Sequence, residues 1–233
     1  MSTRSKMNKG SDASVEPLHP TVAVSDSFMA ACALYSAYTC PLPISRLGFL
    51  CTGVACSFGV LRFGFFPETF RPFNECFAAL TGRVGIPLIG LGFLNLTEHR
   101  ALLPVNDMQV LFALMLMYCF TLPLSHKAGE LITTLLGAAS MGVIAQFGSA
   151  AGNQQAIAGV VLFIGGGLVI GADRNRCLFG VRRENLFHYT LGTALFLICQ
   201  ASIASVQGTC SDLAAVVTSG TAWTGILIRH LYP

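Results

Sequence analysis

The stretch LGFLCTGVACSFGVLRFGFF, Leu47 to Phe66, carries a single charge, Arg62, close to its end. A helix of this length spans about 30 Å at 1.5 Å per residue, the thickness of a bilayer's hydrocarbon core. A soluble helix of comparable length needs one polar face, and no such face can be drawn on this segment. The rest of the chain repeats the pattern. Of its 233 residues 53% are hydrophobic and 11% charged, and mean hydropathy is +0.65. Soluble domains carry a charged share of roughly a quarter. The composition therefore excludes a cytosolic nucleotide-fold enzyme, a DNA-binding module and a secreted domain built on disulfides. The net charge of +3 implies no nucleic-acid partner.

Working outward, the sequence predicts an all-α, polytopic transmembrane helical bundle of about eight helices: Ser27–Leu42, Leu47–Phe66, Asn74–Leu96, Met108–Leu124, Glu130–Ala151, Gln154–Ala172, Leu186–Val206 and Leu213–Ile228. Residues 1–25 are polar and lack an apolar run of signal-peptide length, which predicts a disordered cytoplasmic tail. Residues 26–233 form the transmembrane domain. Eight passes place eleven Lys and Arg residues on the side of the tail and two, Arg46 and Arg100, on the other. By the positive-inside rule both termini are then cytoplasmic. The endoplasmic reticulum and the plasma membrane are not distinguished by this pattern. The sequon Asn95-Leu96-Thr97 falls on the lumenal side, too near the membrane for a glycan.

Arg83 falls within the third apolar segment, where an unpaired guanidinium costs at least about 2.5 kcal/mol. Gln146, Gln200 and His188 are the polar intramembrane residues that could satisfy it. Its functional use would be to hold an anion or lipid phosphate. The loop Asp173–Asn185 contributes Arg174, Arg176, Arg182 and Arg183, suited to anionic headgroups. Of the eleven carboxylates none sits mid-segment, and Glu75 and Asp173 are the only pair expected to approach one another. They are the candidates for acid–base catalysis, although end charges serve as well. No apolar segment by itself brings Ser, His and Asp together. The nine cysteines form no C-x-x-C pair and read as small buried hydrophobes; the histidines are scattered, and no metal or cofactor is expected. The glycines at 165–167, and Gly137 with Gly142, are expected at close helix contacts.

Gly159-Val160-Val161-Leu162-Phe163-Ile164, the pair Asp173-Arg174, and Phe196 four residues before Gln200 resemble the C-terminal part of the YhhN family. These are eight-pass membrane proteins that include the lysoplasmalogenases. The resemblance implies hydrolysis of a lysophospholipid vinyl ether by carboxylates. The family's Ser-Asp, however, falls on Gly166-Gly167, and its earlier Gly-Asp falls near Phe58-Gly59-Val60, where this chain has no acid. The sequence therefore favours a non-catalytic accessory, scaffold or lipid-binding role, with membrane lipids and another membrane protein as partners. A YhhN-like hydrolase and a small transporter or channel are the alternatives.

Overall fold

In the computed structural model, residues 17–97, 106–122, 125–171, 177–178 and 180–231 are described, the side chains of residues 126 and 208–231 excepted. They form seven helices: α1 (Pro20–Thr39), α2 (Pro43–Gly64), α3 (Pro67–Leu94), α4 (Asp107–Thr121), α5 (His126–Ala150), α6 (Gln154–Ile170) and α7 (Arg183–Leu231). Between α6 and α7 a short antiparallel hairpin, β1 (Cys177–Leu178) and β2 (Val181–Arg182), turns at Gly180, whose φ of 77° suits glycine.

Proline begins α1, α2 and α3, where its missing N–H removes a donor that has no intrahelical partner anyway. Asn106, Ser125 and Asn153 cap α4, α5 and α6 through their side chains. Because α1 starts at Pro20, residues 20–25, assigned above to the tail, are its first turns.

The described residues form seven helices where eight were expected. Segments seven and eight are joined in α7, because 207–212 lowers hydropathy without a proline to interrupt backbone hydrogen bonding. Among the described residues, four helical spans are long and apolar enough to cross a membrane: Pro43–Gly64, Pro67–Leu94, Lys127–Ala150 and Arg183–Gln207. The outer surface carries many large apolar side chains. Phe120, Leu168 and Val169 are each more than 70% exposed, which suits lipid rather than water around the bundle.

The core joins Phe49 of α2, Phe93 of α3, Met141 and Ile144 of α5, and Leu195 and Ile198 of α7. Helix α3 presents two small-residue faces. Gly82 and Gly90 lie against Thr133 and Ser140 of α5, and Gly85 and Gly92 against Gly48, Cys51 and Ser45 of α2. The glycines expected at contacts elsewhere behave differently. Gly137, Gly142, Gly165 and Gly167 face open space, while Gly166 and Gly159 do pack on α7. Helical spacing alone does not say which side of a helix, apolar all round, meets a neighbour. The cysteines also divide: Cys40, Cys56 and Cys199 are buried, whereas Cys76, Cys119 and Cys177 are exposed.

Helices α1 and α7 run parallel. Ser25 meets His188, Ser36 meets Cys199 and Cys40 meets Ser202, a nearly constant sequence offset from one end to the other.

Candidate functional site: a buried polar cluster at one end of the bundle

The start of α1, the end of α2 and the starts of α3 and α7 meet at one end of the bundle. They bring together Ser25, Asp26, Arg62, Asn74, Glu75, Asn185 and His188. Asp26 is 4% exposed and Arg62 6%, so each charge needs a partner inside the protein. His188 Nδ1 lies 3.0 Å from Asp26 Oδ1 and 3.2 Å from Ser25 Oγ. The Ser25 hydroxyl donates to the Val22 carbonyl at 2.9 Å. Asn185 and His188, three residues apart, share the face of α7 that meets α1.

Arg62 donates to Asn74 Oδ1 at 3.1 Å and lies 3.4 Å from Glu75 Oε1, with its guanidinium carbon 4.9 Å from the Phe63 ring centroid. Asn74 in turn donates to the Ala55 carbonyl. Gly59 is the space that admits the carboxylate. A methyl group there would overlap Asp26 Oδ2 and press on Asn74 Nδ2.

This Ser, His and Asp set differs from a nucleophilic triad. In a triad the carboxylate holds one ring nitrogen and the serine meets the other. Here both contacts fall on Nδ1. The geometry joins α1 to α7 and does not align a proton relay toward Ser25.

The residues singled out from sequence are distributed differently from expectation. Glu75 is 56% exposed and is held by Arg71 at 3.0 Å as well as by Arg62. Asp173, Arg174 and Arg176 lie outside the described residues. Arg182 lies 3.3 Å from His19 Nδ1, and Arg183 donates to the Val169 carbonyl at 2.8 Å. Arg83 donates to Thr121 Oγ1 at 3.0 Å, and its other terminal nitrogen lies over Gly129; its Nε is buried without a hydrogen-bond partner. Gln146, exposed on α5, and Gln200, half-buried on α7, were the expected partners. A long side chain on a helix points toward that helix's N-terminus. Arg83 therefore reaches the end of α4, where the last carbonyls favour a cation.

Sequence reasoning missed Asp26 as a central residue because it stands near the start of its segment. Its partner His188 stands 162 residues later, and the only signal was a pair of polar residues, Asn185 and His188, on one helical face.

Beside the cluster, Phe28, Ala31, Cys32 and Tyr35 on α1 and Phe196 on α7 line an open apolar groove of about 230 Å³. The α1 residues follow i, i+3, i+4, i+7 spacing, one continuous stripe. Phe28 packs edge-on against Tyr189, one residue beyond His188, so the groove begins next to the polar cluster.

The end of α3 is tied to the start of α4 through the sequon residue Asn95, whose amide donates to Asp107 Oδ2 at 2.8 Å. No family model matches the chain, and no curated protein or solved structure shows significant similarity to it.

Proposed function

We propose that this chain is a multi-pass integral membrane protein that binds lipid in a non-catalytic, accessory or scaffold role. The acyl chain lies in the α1–α7 groove and the polar headgroup lies toward the cluster of Asp26 and His188. The observation that carries this reading is the adjacency of an open apolar stripe to a buried polar cluster on the same two helices. An amphiphile has that division between chain and headgroup. The engagement of Glu75 with two arginines, and of Ser25 with the same nitrogen as Asp26, supports a binding role over a catalytic one. Another membrane protein docked on the apolar outer surface is compatible with this role.

The test is native mass spectrometry of protein extracted in mild detergent. Retained lipid is expected on the wild type and is expected to fall severalfold on Ala31→Trp, which fills the groove without touching the cluster. Equal lipid retention by both would overturn the assignment of the groove.

We further propose that the end carrying the cluster faces the cytoplasm, because Arg62, Arg71, Lys127, Arg182 and Arg183 all stand at helix ends that the charge rule assigns to that side. Both termini then lie there. Helix α7 is about 73 Å long, well over twice the hydrocarbon thickness. A straight continuation would carry the apolar residues 213–228 into water, so in a bilayer this segment returns through the membrane near 207–212. A glycosylation acceptor added after Pro233 is expected to stay unmodified during synthesis into microsomes. Its modification would place the C-terminus on the opposite face.

A vinyl-ether hydrolase of YhhN type is the second reading, favoured by one observation: Asp26 lies against Gly59, where the family pattern carries its own acid. In that case Asp26 and His188 would be the acid–base groups, in place of Glu75 and Asp173.

A further inference from the structure

Arg83 stands inside an apolar run, but the helices packed around it put its charge near one end of the bundle. Helix α4 has 15 residues, about 22 Å at 1.5 Å per residue, which falls short of the hydrocarbon thickness. The chain then turns into α5, which begins at His126. The Arg83 guanidinium lies over Gly129, about 4.5 Å along the axis from that start. It therefore sits where α4 gives way to α5, at a depth a headgroup can reach.

The protein satisfies this charge only in part. Thr121 Oγ1 donates to the Tyr118 carbonyl at 2.9 Å and accepts one Arg83 N–H at 3.0 Å. A guanidinium carries five donors, and among the described residues this is the one hydrogen bond its side chain makes. Arg83 Nε is buried without an acceptor. No described carboxylate, Glu130 of α5 included, forms an ion pair with it. The residue as a whole is part-exposed, so its terminal nitrogens remain open to a ligand. Gly129 leaves the space they occupy, because a Cβ there would overlap one of them. Gly129 also belongs to the first turn of α5, whose positive end repels a cation. Lys127 adds a further positive charge to that turn. A guanidinium without an acid, held against a positive helix end in an apolar bundle, is balanced by an anion from outside the chain.

We propose that Arg83, seated by Thr121 and Gly129 at the junction of α4 and α5, binds a phosphate group. The planar guanidinium presents parallel N–H donors that match two phosphate oxygens, and the start of α5 contributes its positive end. An anionic lipid headgroup and free phosphate share this chemistry. The site lies on helices other than those of the α1–α7 groove and does not rest on that assignment.

The test is thermal unfolding of the purified full-length protein in a fixed detergent, with dioctanoyl phosphatidic acid, dioctanoylglycerol or inorganic phosphate added at equal, saturating concentration. Phosphatidic acid is expected to raise the wild-type Tm by about 4 °C or more, and dioctanoylglycerol, which lacks the phosphate, by less than half as much. A comparable rise with inorganic phosphate identifies the free anion as a sufficient ligand; a rise with phosphatidic acid alone identifies the lipid headgroup. Arg83→Gln is expected to lose the rise. Gly129→Ala keeps the charge but moves the guanidinium aside, at small cost because the displaced atom ends a flexible side chain. It is expected to lose at least half of the rise, so the test stands even where Arg83→Gln fails to fold. Ala31→Trp, in the α1–α7 groove, is expected to keep it. No rise with either phosphate compound, an equal rise with dioctanoylglycerol, or an undiminished rise in folded Arg83→Gln or Gly129→Ala would overturn the proposal. A rise lost in Ala31→Trp but kept in Arg83→Gln would place the lipid in the groove, overturning this site and sparing the earlier one.

Discussion

Asp26→Ala is expected to be the most damaging single substitution at the polar end, lowering stability by about 3 kcal/mol. The variant leaves His188 and Ser25, both of which contact the carboxylate or its partner, beside an empty buried space. Removing one member of a buried hydrogen-bonded pair costs more than the pair contributes, because the remaining polar group loses its partner without recovering its solvation. For a chain of this size the corresponding fall in melting temperature is roughly 6–12 °C, readable by thermal unfolding in a fixed detergent. Asp26→Asn retains the volume and a hydrogen-bonding oxygen and should cost less than half as much. An alanine variant as stable as wild type would mean that the cluster does not clamp α1 to α7.

The same two variants separate the functional readings. Under the lipid-binding proposal, folded wild-type protein releases no headgroup from alkenyl-lysophospholipid. Turnover by the wild type that disappears in Asp26→Asn, with folding retained, would replace the proposal with the hydrolase.

A comparable loss is expected at the opposite half of the α2–α3 contact. A Cβ on Gly48 would collide with the Gly85 carbonyl oxygen and with Ile89. The Gly85 carbonyl belongs to the turn Thr81–Gly85, where α3 is locally wound as a π-helix. A backbone atom cannot rotate away as a side chain can, so Gly48→Leu must separate the two helices or distort that turn. Overpacking of this kind costs about 1–3 kcal/mol, with the upper part of the range expected where the obstacle is main chain. Gly137→Leu is the control, because Gly137 faces open space on α5. It should leave the melting temperature within about 2 °C of wild type, since substitutions away from contacts usually change stability by less than about 0.5 kcal/mol. Equal effects at the two positions would show that close approach of α2 and α3 does not limit stability.

The extent to which the sequence reveals the fold follows from the range over which each signal acts. Apolar runs between polar breaks locate the helical segments, because each run must satisfy its backbone internally whatever surrounds it. Helices α1, α2 and α3 begin at Pro20, Pro43 and Pro67, ahead of the starts at Ser27, Leu47 and Asn74 that the apolar runs suggest. The junction at 207–212 is less legible, since falling hydropathy changes the preferred solvent of a helix without breaking its hydrogen bonds. Hence the eighth segment appears as a continuation of α7.

Site residues were less accessible still. Arg83 is conspicuous as a charge in an apolar run, but its partner depends on where its long side chain ends, and Thr121 at the end of α4 is not on the list that depth alone suggests. Asp26 looks like an end charge. Its burial follows from Gly59 leaving room beside it and from α7 packing parallel to α1.

The sequence by itself determined an all-helical chain built of apolar segments with nearly all of its charge at their ends. Those properties are local, set by composition and by the cost of exposing backbone or charge to an apolar surrounding. Tertiary structure alone decided that Asp26 meets His188, that Arg62 is buried against Asn74 and Glu75, and that Cys40 meets Ser202. In helices that are apolar on every side, hydrophobic patterning leaves the rotation of each helix and its choice of neighbour open. Close-packed shape and the pairing of a few buried polar groups settle them.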